Sequence, residues 1–309
     1  MDPHSITLRE FHDKWFARLF HGDVRERTHE AYEGTLKHWE RHTDNLPLAQ
    51  IDQAQVSLFR AKLAESLRPA TVSKHCRHLN HLLEKIGPPA RHNRDALHLI
   101  KRVPWAKPLV TSKRLPRPLS QDELRELYDA TEVAVKPHLD GVSPADYWRA
   151  KIVAAYNLGY RRKALLSIAW DDTNLRAMTM RCDESFDKKR QEREKPFNGT
   201  VREHLLKIRT GEARVFCWRH GKHAWYEQFR AIVKAANLNC TFHNLKATCG
   251  TTLARMNVSV WAIRYMLDHA QTDVAGQSYI NPIEELREVV DSIPQPWQYT
   301  REQRRRNHG

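Results

Sequence analysis

The stretch F-H-N-L-K-A-T-C-G-T-T-L-A-R at residues 242–255, followed by Y-M-L-D-H at 265–269 and Q-S-Y at 277–279, decides how the rest of the chain is read. His243 and Lys246 stand three apart, so a helix through them puts both on one face, within reach of a single anion. Leu245, Cys249 and Leu253 form the apolar stripe that lets such a helix pack while the polar pair faces a site. His269 and Tyr279 are delivered by the segments that follow. An imidazole, a cation, a second imidazole and a phenol suit nucleophilic attack on a phosphodiester.

Length and charge bound the reading. At 309 residues the chain is long for one average domain and comfortable for two. A formal net charge of +14 and an isoelectric point near 9.7 fit a polyanionic partner and argue against an acidic one. Cys76, Cys182, Cys217, Cys240 and Cys249 show no paired spacing, as expected of reduced thiols in a cytoplasmic protein. No apolar run reaches the roughly 18 residues of a membrane span, and Met1 to Glu10 has no signal-peptide core, so no membrane partner is expected.

Residues 1–102 read as a small helical bundle. Thr7 and Glu10 make a capping-box pattern ahead of Leu8, Phe11, Trp15 and Leu19, and further helices carry Tyr32, Leu36 and Trp39, then Val56, Phe59 and Leu63 behind Asp52. A fourth, from about Thr71, carries Leu79, Leu82 and Ile86 and stops at Gly87-Pro88-Pro89. Its other positions, Lys74, Arg77, His78 and His81, make a basic face. The His-x-x-His pairs there lack the cysteine or carboxylate that a zinc site needs, and no metal is assigned. Residues 103–119 hold four prolines with Lys107, Lys113, Arg114 and Arg117, which predicts a stiff cationic tether between two domains.

A second domain is expected over 120–293. Ser120 and Glu123 give another capping box, and a helix from Ser143-Pro144 runs through Trp148, Ile152 and Tyr156 to Gly159. There follow G-Y-R-R-K-A-L-L-S-I-A-W-D-D (159–172), a strand over Leu175 to Arg181, the charged run D-K-K-R-Q-E-R-E-K-P-F (187–197) and a helix opened by Thr200 with Glu203. Next come V-F-C-W (215–218) and a helix with Trp225, Phe229 and Val233. Cys217, His220 and His223 have no partner pair and make a poor zinc site. A helix from Pro282 carries Ile283, Leu286 and Val289, and residues 294–309 read as a basic, disordered tail.

In joint order and spacing these blocks resemble the tyrosine recombinases, the phage integrase family, with its G-L-R-x-x-E-L-L-x-L-x-W-x-D, V-F-P-W, H-x-x-R and L-G-H motifs and a tyrosine nine or ten residues later. The resemblance covers nearly the whole chain. It implies a mainly α protein with a small antiparallel β-sheet: an N-terminal SAM-like core-binding bundle and an α+β catalytic domain. It also implies a site-specific recombinase that cleaves and rejoins DNA through a 3′-phosphotyrosine, with no cofactor, on inverted-repeat core sites of double-stranded DNA, as a dimer on one site and a tetramer in synapsis. Tyr279 takes the nucleophile's position, Arg161 that of the first arginine and Lys246 that of the second. His243 and His269 take the positions of the phosphate-side histidines. The general acid falls on Lys188, eight residues before Pro196, with Lys189 its rival. Lys74, Arg77, His78, His81, Lys107, Lys113, Arg114, Arg117, Arg162 and Lys189 are the expected DNA contacts.

Three positions depart from the pattern. Ala164 replaces an orienting glutamate, Lys246 offers a point charge in place of a planar fork, and Asp268 replaces a glycine, adding a carboxylate near the phosphate. These departures support an alternative from another class, a DNA-binding accessory protein that kept the fold and lost the chemistry. A type IB topoisomerase, which uses the same chemistry, is disfavoured by the paired small domains and the late packing helix.

Overall fold

A computed structural model describes residues 2–20, 26–112, 117–182, 193–269 and 282–298. Contacts divide the chain into two compact units, Met1–Arg114 and Leu115–Gly309. The first is the expected helical bundle. Helix α1 (Leu8–Phe11) starts at Thr7, whose hydroxyl accepts from the Glu10 amide while the Glu10 carboxylate accepts from the Thr7 amide. A π turn at His12–Phe16 leads into α2 (Ala17–Leu19). Helices α3 (Glu26–Thr43), α4 (Gln53–Ser66) and α5 (Pro69–Ile86) complete the bundle. Leu8, Phe11, Phe16, Trp39, Phe59, Leu63, Leu79 and Leu82 are fully buried at its centre.

The proline-rich stretch does not behave as a free tether along its first half. The Asn80 side chain donates to the Ala106 carbonyl at 3.0 Å and accepts from the Ala106 amide at 2.8 Å, while Ser73 donates to the Leu109 carbonyl at 2.8 Å. Prolines deny this segment backbone partners of its own, so polar side chains on α5 supply them. Residues up to 112 therefore belong to the bundle.

In the second unit, α6 (Gln121–Asp129) carries the expected Ser120–Glu123 capping box, and α7 (Pro144–Leu158) has Ser143 as its cap. Helix α7 is buried on all sides from Ala150 to Leu158 and is the axis of the domain, packed against α9 and α11. Helix α8 (Arg162–Ser167) leads to a three-stranded antiparallel sheet of β1 (Thr173–Asn174), β2 (Thr179–Cys182) and β3 (Arg193–Pro196), in that order. Met180 pairs with Thr173 on one side and Lys195 on the other. Then come α9 (Gly199–Lys207), α10 (Lys222–Ala235), α11 (Phe242–Arg255), α12 (Val260–Met266) and α13 (Pro282–Asp291).

Three expectations are corrected here. The strand read over Leu175 to Arg181 is broken, because the Asn174 carboxamide oxygen accepts from the amides of Arg176 and Ala177 and folds the chain into a turn. Helix α9 is capped by Asn198, which accepts from the Val201 amide at 3.0 Å, and Thr200 lies inside the helix. Residues 294–298 are not tail. Tyr156 donates to the Pro294 carbonyl at 3.0 Å, Gln295 bonds Asn157 at 2.7 Å, and Trp297 stacks on Tyr128. Residues 299–309 lie outside the described ones.

Lys151 is the anomaly of the core. It is completely buried on α7, its ammonium lies 5.0 Å from the Tyr147 ring centre, 5.4 Å from Phe216 and 5.5 Å from Trp225, and its hydrogen bond is to the Tyr147 hydroxyl at 3.0 Å. Burial, and after it the charge of Arg162, pushes its pKa well below the usual lysine value. The fold thus disfavours a proton that the unfolded chain binds, so wild-type stability rises with pH up to the ordinary lysine pKa. Lys151→Met is expected to stabilise the protein at neutral pH by roughly 1–4 kcal/mol. The gain should shrink toward about pH 10, where the unfolded lysine is also neutral; thermal melts of both proteins across this range check it.

Candidate active site

Two helix ends build the site. Helix α7 ends at Gly159, in the left-handed conformation at φ 62°. Tyr160 then turns into the core, fully buried with its hydroxyl donating to the Met180 carbonyl at 3.2 Å, and the next residue, Arg161, is half-buried at the start of α8. Among the described residues no hydrogen bond or ion pair engages the Arg161 guanidinium.

Helix α12 ends in a Schellman motif: the His269 amide donates to the Arg264 carbonyl at 2.8 Å and the Asp268 amide to the Tyr265 carbonyl at 3.1 Å. Asp268 occupies the position where glycine is favoured, at φ 50°. That turn presents His269 on the surface.

Helix α11 contributes His243 and Lys246 from one face, but at different depths: His243 is exposed and Lys246 is only 4% exposed. Burial, then the charges of Lys246 and Arg161, lower the pKa of both His243 and His269. The structure therefore brings four of the six expected chemical residues into one electrostatic neighbourhood, with two imidazoles held neutral beside two cations. Tyr279, Lys188 and Lys189 lie outside the described residues.

Beneath these groups lies a buried ionic cluster. Lys195, completely buried on β3, donates to the carbonyls of Leu158 at 3.1 Å and Met266 at 2.7 Å and pairs with Asp268 Oδ1 at 2.7 Å. Lys246 donates to the carbonyl of Gly159 at 2.7 Å and to that of Leu267, and its ammonium stands 3.5 Å from Asp268 Oδ2. Each lysine thus bridges the C-terminal carbonyls of α7 and α12, where unpaired backbone acceptors and the negative end of the helix dipole favour a cation. Burial, opposed by Asp268 and reinforced by Lys195 and Arg161, pushes Lys246 down to about 7. The Asp268 carboxylate, expected near the phosphate, faces inward, its side chain 9% exposed.

Sequence reasoning missed Lys195, which looked like one more member of a charged run. Only its β3 pairing with Met180, which puts it on the inner face, marks it as buried.

The expected DNA contacts divide. Lys74, Arg77 and Lys107 are exposed. His78 and His81 instead pack on α3: His78 bonds the Thr35 hydroxyl at 3.0 Å, and the His81 ring stacks on Tyr32. Arg117 pairs with Glu123, and the Arg162 guanidinium lies 5.0 Å over the rings of both Trp225 and Tyr226. Lys113 and Arg114 lie outside the described residues. Cys217 donates to Glu212 and His223 pairs with Glu227, so neither is turned toward a common ion. One group among the described residues, His12, Asp13 and Glu33, is close enough to hold an ion, but Arg9 already stands 2.7 Å from Glu33.

The chain belongs to the phage integrase family, whose model matches residues 117–285. No curated protein matches it. Among solved structures it is similar to the lambda integrase (residues 75–356) dimer bound to a COC′ core site, with 17% identity, TM-score 0.63, and coverage of 86% of this chain and 96% of that one. It is also similar to a lambda integrase tetramer bound to a Holliday junction (17%, TM-score 0.65, 91% and 79% covered) and to the Tn1549 transposon integrase in complex with a circular-intermediate DNA (15%, TM-score 0.68, 86% and 93% covered). At these identities the likeness shows the fold: a mostly helical tyrosine-recombinase architecture with a small antiparallel sheet.

Gly159 is the position where this architecture tolerates least. A Cβ there would stand 2.9 Å from the Met266 carbonyl and 2.9 Å from Leu267 Cδ2, on backbone already at positive φ. Gly159→Ala is expected to cost about 2–4 kcal/mol, the left-handed penalty and overpacking together; denaturant unfolding measures it.

Proposed function

We propose that this protein is a site-specific DNA recombinase that cuts and rejoins strands through a 3′-phosphotyrosine. The observation that carries the reading is the convergence of Arg161, His243 and His269 from three separate segments above the buried Lys246, where burial, and after it the charges of Lys246 and Arg161, lowers the pKa of both imidazoles. With the Tyr279 oxygen as nucleophile, the bond to phosphorus forms as the bond to the 5′-oxygen breaks. The phenol's proton passes to an imidazole, and Lys188, or Lys189 beside it, protonates the leaving oxygen. Arg161, with no partner among the described residues, suits a fork onto two nonbridging oxygens. The energy of the cut bond stays in the phosphotyrosine, so attack by a partner strand's 5′-hydroxyl completes exchange with neither ATP nor magnesium.

On this reading the partner is double-stranded DNA with inverted core sites, bound by a dimer and synapsed as a tetramer in the cytoplasm. Exposed Lys74, Arg77 and Lys107 supply phosphate contacts, in keeping with the net charge of +14.

One observation favours a second reading, a DNA-binding protein without chemistry. Lys246, at the position of the family's second arginine, directs its ammonium at protein carbonyls and a carboxylate.

Covalent trapping separates the two. Nicked duplexes made from DNA flanking the gene should give a protein–DNA band on a denaturing gel with the wild type and none with Tyr279→Phe. Binding on native gels without any covalent band would instead establish the second reading.

A further inference from the structure

Resting on the recombinase reading of this site, we propose that Lys246 is a positioning residue: with Lys195 and Asp268 it forms a buried clamp that holds Arg161 and His269 in register, and it does not bind the phosphate. An ammonium has three N–H donors. Lys246 donates to the Gly159 and Leu267 carbonyls and its nitrogen stands in a looser ion pair 3.5 Å from Asp268 Oδ2, while Lys195 donates to the Leu158 and Met266 carbonyls and pairs with Asp268 Oδ1 at 2.7 Å. Each segment held in this way ends next to a reacting group. Gly159 lies two residues before Arg161, and Asp268 immediately precedes His269. Lys195 sits on β3, in the second half of the charged run whose first half carries Lys188 and Lys189.

The geometry explains two departures from the family pattern as one device. A carboxylate at 268 is compatible with the left-handed turn only at a conformational cost, and its inward ion pairs with two buried ammoniums offset that cost. A lysine at 246 fits between two carbonyls of converging helix ends, where a planar guanidinium requires more width. Lys246 therefore acts through the backbone it holds, and Arg161 contacts the phosphate.

The test uses the full-length protein and nicked duplex from the DNA flanking its gene. Affinity is measured against salt concentration, and the rate of covalent-adduct formation is measured in parallel. Lys246→Met leaves Asp268 and Lys195 as a balanced pair but takes the donor from the Gly159 and Leu267 carbonyls, so circular dichroism first establishes that it is folded. Its slope of log affinity on log salt should equal the wild type's, while adduct formation slows about a hundredfold, as expected of a displaced site. Arg161→Met should reduce the slope by about 0.9, the signature of one lost phosphate contact. Lys246→Arg, the second variant, should also slow the reaction.

A slope reduced by about 0.9 in Lys246→Met, an unchanged rate in that variant, or a faster reaction in Lys246→Arg would each overturn the proposal. A wild type that binds DNA but forms no adduct overturns the recombinase reading instead. The clamp is then decided by melting temperatures: Asp268→Asn should destabilise the wild type more than it destabilises Lys246→Met, and equal losses would refute the coupling.

Discussion

Two buried lysines and one carboxylate, wedged between the C-terminal ends of α7 and α12, are the contact on which the second unit's candidate site depends. Helix ends that converge tail to tail bring unpaired carbonyls and two negative dipole ends together, an arrangement that repels unless cations stand between them. Lys195 and Lys246 are those cations. A second ammonium in so small a space needs a counter-charge, and Asp268 provides it from the turn itself. The groups that face solvent above the cluster, Arg161, His243 and His269, stand on segments that this contact fixes.

The same constraint accounts for the electrostatics of the surface above it. Partial burial, and after it the cations close by, lowers the pKa of His243 and His269, so both can accept as well as donate. Among the described residues, the Arg161 guanidinium has no hydrogen-bond or ion-pair partner. The described members of the candidate site thus gather positive charge, which on the recombinase reading suits a negatively charged transition state.

Much of the architecture was legible from pattern alone. Helical periodicity located α1 and α6 with their capping boxes, and α7 with its Ser143-Pro144 start, because caps and stripes are local properties of the chain, satisfied within one turn. Reading failed where a side chain made a local bond that competes with regular structure. Asn174 folded half of an expected strand into a turn, and Asn198 took the cap assigned to Thr200. It failed also where partners are remote: nothing near Ala106 or Leu109 in sequence announces that Asn80 and Ser73 tie down the proline-rich stretch.

By itself the sequence determined the order of the elements, the family, and the residue types at each position of the site, since spacing along a helix and joint order along a chain do not need a third dimension. Only the tertiary structure decided which charges face outward. His243 and Lys246 share a helix face, yet three residues of rise and the approach of two helix ends leave one exposed and bury the other. Lys195, one lysine in a charged run, became the core of the site because strand pairing turned it inward beneath Asp268. Depth and pairing are set by what packs above a residue, and that neighbour comes from distant sequence.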